Sequence, residues 1–274
     1  VRGGTLALAF ALVLAGCSGD DEGSAPAPDD AGESDVAFAD AEAPPRDPML
    51  QDRRCPAGMA YVSGFCMDRW EAHVVALDDG GVERPHSPYD VLGDGGYRAK
   101  TAGGVVPQGY ISQVQASAAC ANAGKRLCTA AEFVLACRGP DGTANSYPYG
   151  GTTRVPGDCN EGKGSSLPRF YGNDPSKWTY AAFNDPQLNQ WDGGLAKTGA
   201  YAKCVSPYGL YDCVGNLHEW GADPPDPKGH GRFRGGFYGD AEINGHGCLY
   251  VTSAHEVAYH DYSTGFRCCA DARP

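Results

Sequence analysis

Tyr208-Gly209-Leu210-Tyr211-Asp212-Cys213-Val214-Gly215-Asn216-Leu217-His218-Glu219-Trp220 is the stretch that decides how the chain is read. Gly215-Asn216 marks a turn. Asp212 and Glu219 place a carboxylate on either side of it. Downstream stand Arg234-Gly235-Gly236-Phe237 and Gly265-Phe266-Arg267-Cys268. Upstream stand Gly58-Met59-Ala60-Tyr61-Val62, Phe65-Cys66-Met67-Asp68-Arg69-Trp70-Glu71, Gly124-Lys125-Arg126-Leu127-Cys128-Thr129-Ala130-Ala131-Glu132-Phe133 and Tyr147-Pro148-Tyr149-Gly150.

Two helices are predicted between these motifs. Ser112-Gln113-Val114-Gln115 is a capping-box pattern opening a helix that stops at Gly124. Thr129-Ala130-Ala131-Glu132 opens a second, running to about Cys137 with Gly139 beyond it. Strands are expected at Met59–Val62, Phe65–Val75 and Arg232–Tyr238, with Gly, Asn, Asp and Pro turns elsewhere. Gly 39 and Pro 20 among 274 residues fit a loop-rich α+β domain.

Taken in order, these motifs resemble the formylglycine-generating enzyme family, or sulfatase-modifying-factor domain, over nearly all of residues 55–270. The resemblance implies a C-type-lectin-like fold with little regular secondary structure. It also implies oxidation of a substrate cysteine by O2 and copper(I), which needs two soft thiolates held together. The family places them six residues after the Arg of Arg-Gly-Gly, and five further on. Here those positions are Asp240 and Gly245. An Asp oxygen is a hard donor, so neither copper nor the family's copper mechanism is expected.

The resemblance further implies structural calcium. One site would take the carboxylates of Asp212 and Glu219 and the carbonyls of Gly215 and Leu217. A second would use the Asn160 side chain and the Glu161 carbonyl, with Asp192 a candidate third ligand. Calcium wants six to eight such oxygens. The plainer alternative is a simple turn with Glu219 a surface acid.

Weaker signals lie elsewhere in the chain. His255-Glu256-Val257-Ala258-Tyr259-His260 looks like HExxH, but the second His is one residue late, so the two would not share a helix face. Asp240, Cys248, His255 and His260 remain candidate pocket residues. His218 is expected to be a packed ring, and Lys125-Arg126 a surface pair.

The first 52 residues carry a different message. An apolar run from Leu6 to Leu14 follows Arg2 and ends in Leu14-Ala15-Gly16-Cys17, which is similar to a bacterial lipobox. Residues 1–16 are therefore expected to be a lipoprotein signal peptide, and Cys17 the lipidated residue. Residues 18–52 hold eleven acids and one base, a net −10. Such a stretch buries too little apolar surface to fold and reads as a tether. Counting Arg2, the domain at 53–274 carries only −3 of the chain's −12. Without clustered Lys and Arg, nucleic acid is not an expected partner.

Twelve cysteines fit an exported protein, here a membrane-anchored lipoprotein facing the periplasm or the outer-membrane surface. With Cys17 set aside, eleven remain, so one is expected to lack an intramolecular partner. Pairings of Cys137 with Cys159, and of Cys248 with Cys268 or Cys269, are suggested by short loops. Adjacent Cys268 and Cys269 should find different partners, or one should stay reduced. Three functions compete: a module binding a protein, peptide or glycan; a protein-modifying oxidoreductase with a rearranged site; and a structural spacer.

Overall fold

The computed structural model describes residues 52–140, 144–253 and 255–274. The expected signal peptide, Cys17 and nearly all of the tether lie outside these residues.

Eleven short strands, four α-helices and three single-turn 3-10 helices make up the regular structure among the described residues. Strands β1 (Met59–Val62) and β2 (Phe65–Asp68) form a tight hairpin across Ser63-Gly64. The carboxy-terminal strand β11 (Cys268–Asp271) lies antiparallel to β2, and β6 (Arg126–Leu127) completes this sheet in the order β1-β2-β11-β6. Beyond β11, the Arg273 amide donates to the Arg54 carbonyl at 2.9 Å, so the two ends of the domain meet. A second sheet, β4-β3-β5, joins β4 (Glu83–Pro85), β3 (Ala72–Leu77) and β5 (Gly96–Thr101). A third, in the order β10-β7-β8-β9, joins β10 (Thr264–Gly265), β7 (His218–Trp220), β8 (Phe233–Arg234) and β9 (Val251–Thr252).

Helix α1 (Gln113–Asn122) packs on β5, and α2 (Ala130–Arg138) follows β6. Both begin as expected. Ser112 and Thr129 each accept the N3 amide while the Gln115 and Glu132 side chains reach back to the cap amides. Reciprocal capping satisfies donors that a helix start otherwise leaves open. Helices α3 (Leu167–Tyr171) and α4 (Tyr180–Phe183) are single turns.

Two strand expectations need correction. Phe65–Val75 is broken at Arg69-Trp70-Glu71, because Glu71 leaves the ladder to serve buried groups near residue 216. Arg232–Tyr238 shrinks to β8, because Gly235 and Gly236, at φ +79° and +74°, turn the chain away. Lys125 is also not a surface residue. Its ammonium contacts the fully buried Asp68 carboxylate at 2.6 Å.

The suggested disulfides are replaced by others. The five bonds are Cys55–Cys66, Cys120–Cys268, Cys128–Cys269, Cys137–Cys248 and Cys159–Cys204. Three of them close loops of 111 to 148 residues, so short-loop reasoning could not find them. Cys268 and Cys269 point to opposite faces of β11 and take different partners. Cys213 is left free and buried. Three bonds, together with Cys213, sit in the apolar core around Phe133, Tyr147 and Leu210.

Candidate functional site: a buried carboxylate cluster beneath the Gly-Asn turn

The Asp212–Trp220 stretch folds by local backbone necessity. Asp212, Gly215 and Asn216 all have positive φ, at +59°, +78° and +55°. Asp and Asn tolerate that region better than most residues, and glycine freely. At 215 glycine is also forced by space, since a Cβ there would lie 2.1 Å from the Asn160 carbonyl oxygen. That carbonyl accepts the Asn216 amide at 2.8 Å, clamping the turn onto the 160 loop.

Behind the turn lies an uneven set of charges. Glu219 accepts from Arg267 Nε and Nη2, both at 2.6 Å, with both side chains buried. This bidentate pairing is strong and directional. Arg267 also donates to the carbonyls of Asp68 and Tyr211. Glu71, fully buried, accepts the Asn216 side-chain amide at 2.5 Å and the Leu217 amide at 2.9 Å. Asp212 accepts the Gly199 amide at 2.7 Å. Three buried carboxylates thus gather around one guanidinium. Burial, with repulsion from Asp212 and Glu219, pushes the Glu71 carboxyl well above its ordinary range. Burial pushes Asp212 up to about 7. Desolvation of this kind favours a proton, or another cation, beside the carboxylates.

Of the ligands that the family resemblance implies for calcium, Asp212 and Glu219 are present as buried carboxylates, both Glu219 oxygens accepting from Arg267. Asp212 and Glu219 supply hard donors beside the carbonyls of Gly215 and Leu217. At the second set, Asn160 Oδ1 is buried without a hydrogen-bond partner, while its Nδ2 donates to Gly194 O and Asn216 Oδ1. A buried acceptor left open is costly unless something fills it. The Glu161 side chain is engaged by Arg154, leaving its carbonyl as the group that could serve. Asp192 is exposed, two residues from Gly194. Among the described residues no three His, Cys, Asp or Glu side chains converge as a metal cluster. The first site would rest on two carboxylates plus the Gly215 and Leu217 carbonyls, and the second on the Asn160 amide oxygen and the Glu161 carbonyl.

Copper(I) is not fitted by the residues present. The Asp240 carboxylate is tied to the amides of Glu242 and Ile243. Gly245 has φ +117°, and a Cβ there would meet the Leu249 carbonyl oxygen at 2.7 Å. The nearby Cys248 is fully buried and bonded to Cys137.

The other candidate pocket residues divide. Asp240 and Cys248 serve the 240–250 loop. His255 lines an open cleft of about 400 Å³ with Tyr180, His230, Glu256, Ala258 and Tyr259. His260 sits behind Tyr180, 5.7 Å between ring centres, and meets Asn184 Oδ1 at 2.7 Å. His218 is a packed ring, as expected, flanked by Phe233, Phe237 and Tyr250. Burial pushes its imidazole down to about 3. Sequence reasoning misses Glu71, Arg267 and Tyr180. The first two stand in quoted motifs, but nothing local marks them as partners of residues far along the chain.

No curated protein matches the chain. Among solved structures, PvdO from Pseudomonas aeruginosa is 18% identical, over 76% of this chain and 80% of that one, with a TM-score of 0.47. The Major Tropism Determinant I1 variant is 14% identical over 80% of this chain, with a TM-score of 0.46. CarF is 19% identical over 73% of this chain and 57% of that one, with a TM-score of 0.33. The chain spans about half the length of the Major Tropism Determinant chain, 54% of it. The sulfatase-modifying factor enzyme 1-like domain matches residues 54–272, the whole of the α+β, C-type-lectin-like unit described above. With its turn, its Arg-Gly-Gly strand and its closing Gly-Phe-Arg inside that span, the chain belongs to the sulfatase-modifying factor (FGE-sulfatase) family.

Proposed function

We propose that this is an envelope lipoprotein whose domain binds a protein, peptide or glycan ligand and does not oxidise cysteine through copper(I). One observation carries the reading. The two positions at which the family needs thiolates hold an aspartate engaged by backbone amides and a glycine with no room for a Cβ. The only described cysteine outside a disulfide, Cys213, is buried, and burial pushes its thiol up to about 12. A thiol so protonated is a poor metal ligand. Cys17 would carry the lipid, and the acidic stretch would hold the domain off the membrane. No helix of the described residues is long and apolar enough to cross a membrane.

Calcium would act as a staple. One divalent ion held by Asp212, Glu219 and the Gly215 and Leu217 carbonyls would offset the surplus of buried carboxylates, and a second at Asn160 and the Glu161 carbonyl would fill the open Asn160 oxygen. The residues themselves orient the turn and hold the 160, 199 and 216 segments together.

Full-length protein, loaded with copper(I) and supplied with O2 and a cysteine-containing peptide, is the test. No peptide aldehyde should form. An aldehyde appearing with turnover overturns the reading. For the anchor, metabolic labelling with an alkyne fatty acid should tag the wild-type chain and not Cys17→Ser. For calcium, chelation should lower the melting temperature, and added calcium but not magnesium should restore it.

A further inference from the structure

The cleft beside His255 has a composition that selects its guest. Four of its six lining residues, Tyr180, His230, His255 and Tyr259, carry rings. His255 and Tyr259 stack with centres 3.7 Å apart and planes 9° from parallel. Tyr180, 51% exposed, stands 5.6 Å from Tyr259 and tilted by 47°. The Tyr259 hydroxyl donates to Asp261 Oδ2 at 2.7 Å, and Ser263 donates to Asp261 Oδ1 through its amide and hydroxyl. Tyr259 is thereby held in orientation, its hydroxyl proton given to a buried carboxylate.

The charges in the cleft have one sign. Glu256 is exposed and lines it, while no lysine or arginine is among its described lining residues. His230 is held by Asp226, with Nδ1 3.2 Å from Oδ2. An anion would find no fixed positive charge here. A plain hydrocarbon would leave the Glu256 carboxylate without a counter-charge. A cation of modest size would gain from tyrosine faces, whose quadrupoles are negative above the ring, and from the carboxylate beside them.

We propose that this cleft binds an alkylammonium group, with Tyr180 and Tyr259 as the cation-binding faces and Glu256 as the counter-charge. The proposal deepens the binding-module reading and rests on it. The group could belong to a free quaternary amine or to a lysine side chain on a polypeptide, and the test separates the two.

Full-length protein is titrated with choline and, separately, with N-acetyl-lysine methylamide, following the ring resonances of Tyr180 and Tyr259 by NMR. The neutral isosteres 3,3-dimethylbutanol and N-acetyl-norleucine methylamide are run in parallel. Saturable shifts at both tyrosines with at least one cation, and none with its isostere, are expected. The cation that binds more tightly identifies the source. Tyr180→Ala should weaken binding about fivefold or more, Tyr180→Phe should stay within about twofold, and Glu256→Gln should also weaken it. Tyr180 and Glu256 are surface-exposed, so an unchanged melting temperature is expected and shows that the variants fold. Equal response to cation and isostere, or no response to either cation, overturns the proposal. Neither outcome touches the copper assay, so the two readings fail separately.

Discussion

Glu219 and Arg267 face each other in a two-pronged pairing, two hydrogen bonds of 2.6 Å with neither side chain reaching solvent. Removing one partner of such a pair strands the other's charge. Arg267→Met should cost about 3–5 kcal/mol in urea unfolding under oxidising conditions. The loss should be larger than for Glu219→Gln, because Arg267 also faces Glu71 and Asp212. Equal stability of Arg267→Met and the parent would show that the guanidinium carries no net compensation.

The Gly215 turn separates two costs. Gly81, at φ +74° with nothing within 4 Å of where a Cβ would stand, isolates the cost of backbone conformation alone. Gly81→Ala should lose about 1 kcal/mol. Gly215→Ala, at φ +78°, adds a collision with the Asn160 carbonyl and should lose at least about 3 kcal/mol or fail to accumulate. Similar losses in the two variants would mean that the 160 loop yields easily.

Thiol counting checks the cysteine pattern. Without reductant, the native domain should react with no alkylating reagent. After denaturation a single labelled cysteine should appear within residues 53–274, and peptide mapping should place it at Cys213. Breaking the long loop with Cys137→Ala and Cys248→Ala together should cost about 2–5 kcal/mol. Label at any other position would redraw the pairing.

Acid should act on His255, in the cleft, and His260, behind Tyr180, in a defined direction. Burial holds His255 and His260 below the ordinary imidazole value of 6.5. A base depressed in the folded state binds its proton more readily when unfolded. Its contribution to stability is therefore whole above about 6.5 and is lost as pH falls below that value. The raised carboxyls of Glu71 and Asp212 act the opposite way, gaining protons in the folded state. The rings are best read directly. Their NMR titration midpoints should lie below 6.5, and midpoints above it would contradict the burial argument.

What is legible in the sequence is local. Both capping boxes can be read because all four partners lie within one helical turn. The Gly-Asn turn can be read because φ > 0 selects glycine and asparagine. Lys125 reads as a surface residue because its burial depends on Asp68, 57 residues away. The break after β2 is invisible because Glu71 answers to groups 145 and 146 residues on. At the candidate site, Asp212 and Glu219 stand out by their place around the turn. Their electrostatic setting depends on Arg267 and Glu71, which only packing brings to them. The aromatic cleft is half legible, since His255 can be singled out while Tyr180 comes from a separate helix.

The meeting of Arg273 with Arg54 has a practical side. The two ends of the folded domain share one point. Such a unit can be spliced into a surface loop of another protein without prising its host apart. It also tolerates rewiring. A linker of a few residues could join residue 273 to residue 54, and new ends could open at the exposed Asp79-Gly80-Gly81 turn. The five cross-links would keep their geometry, since none depends on where the chain is cut.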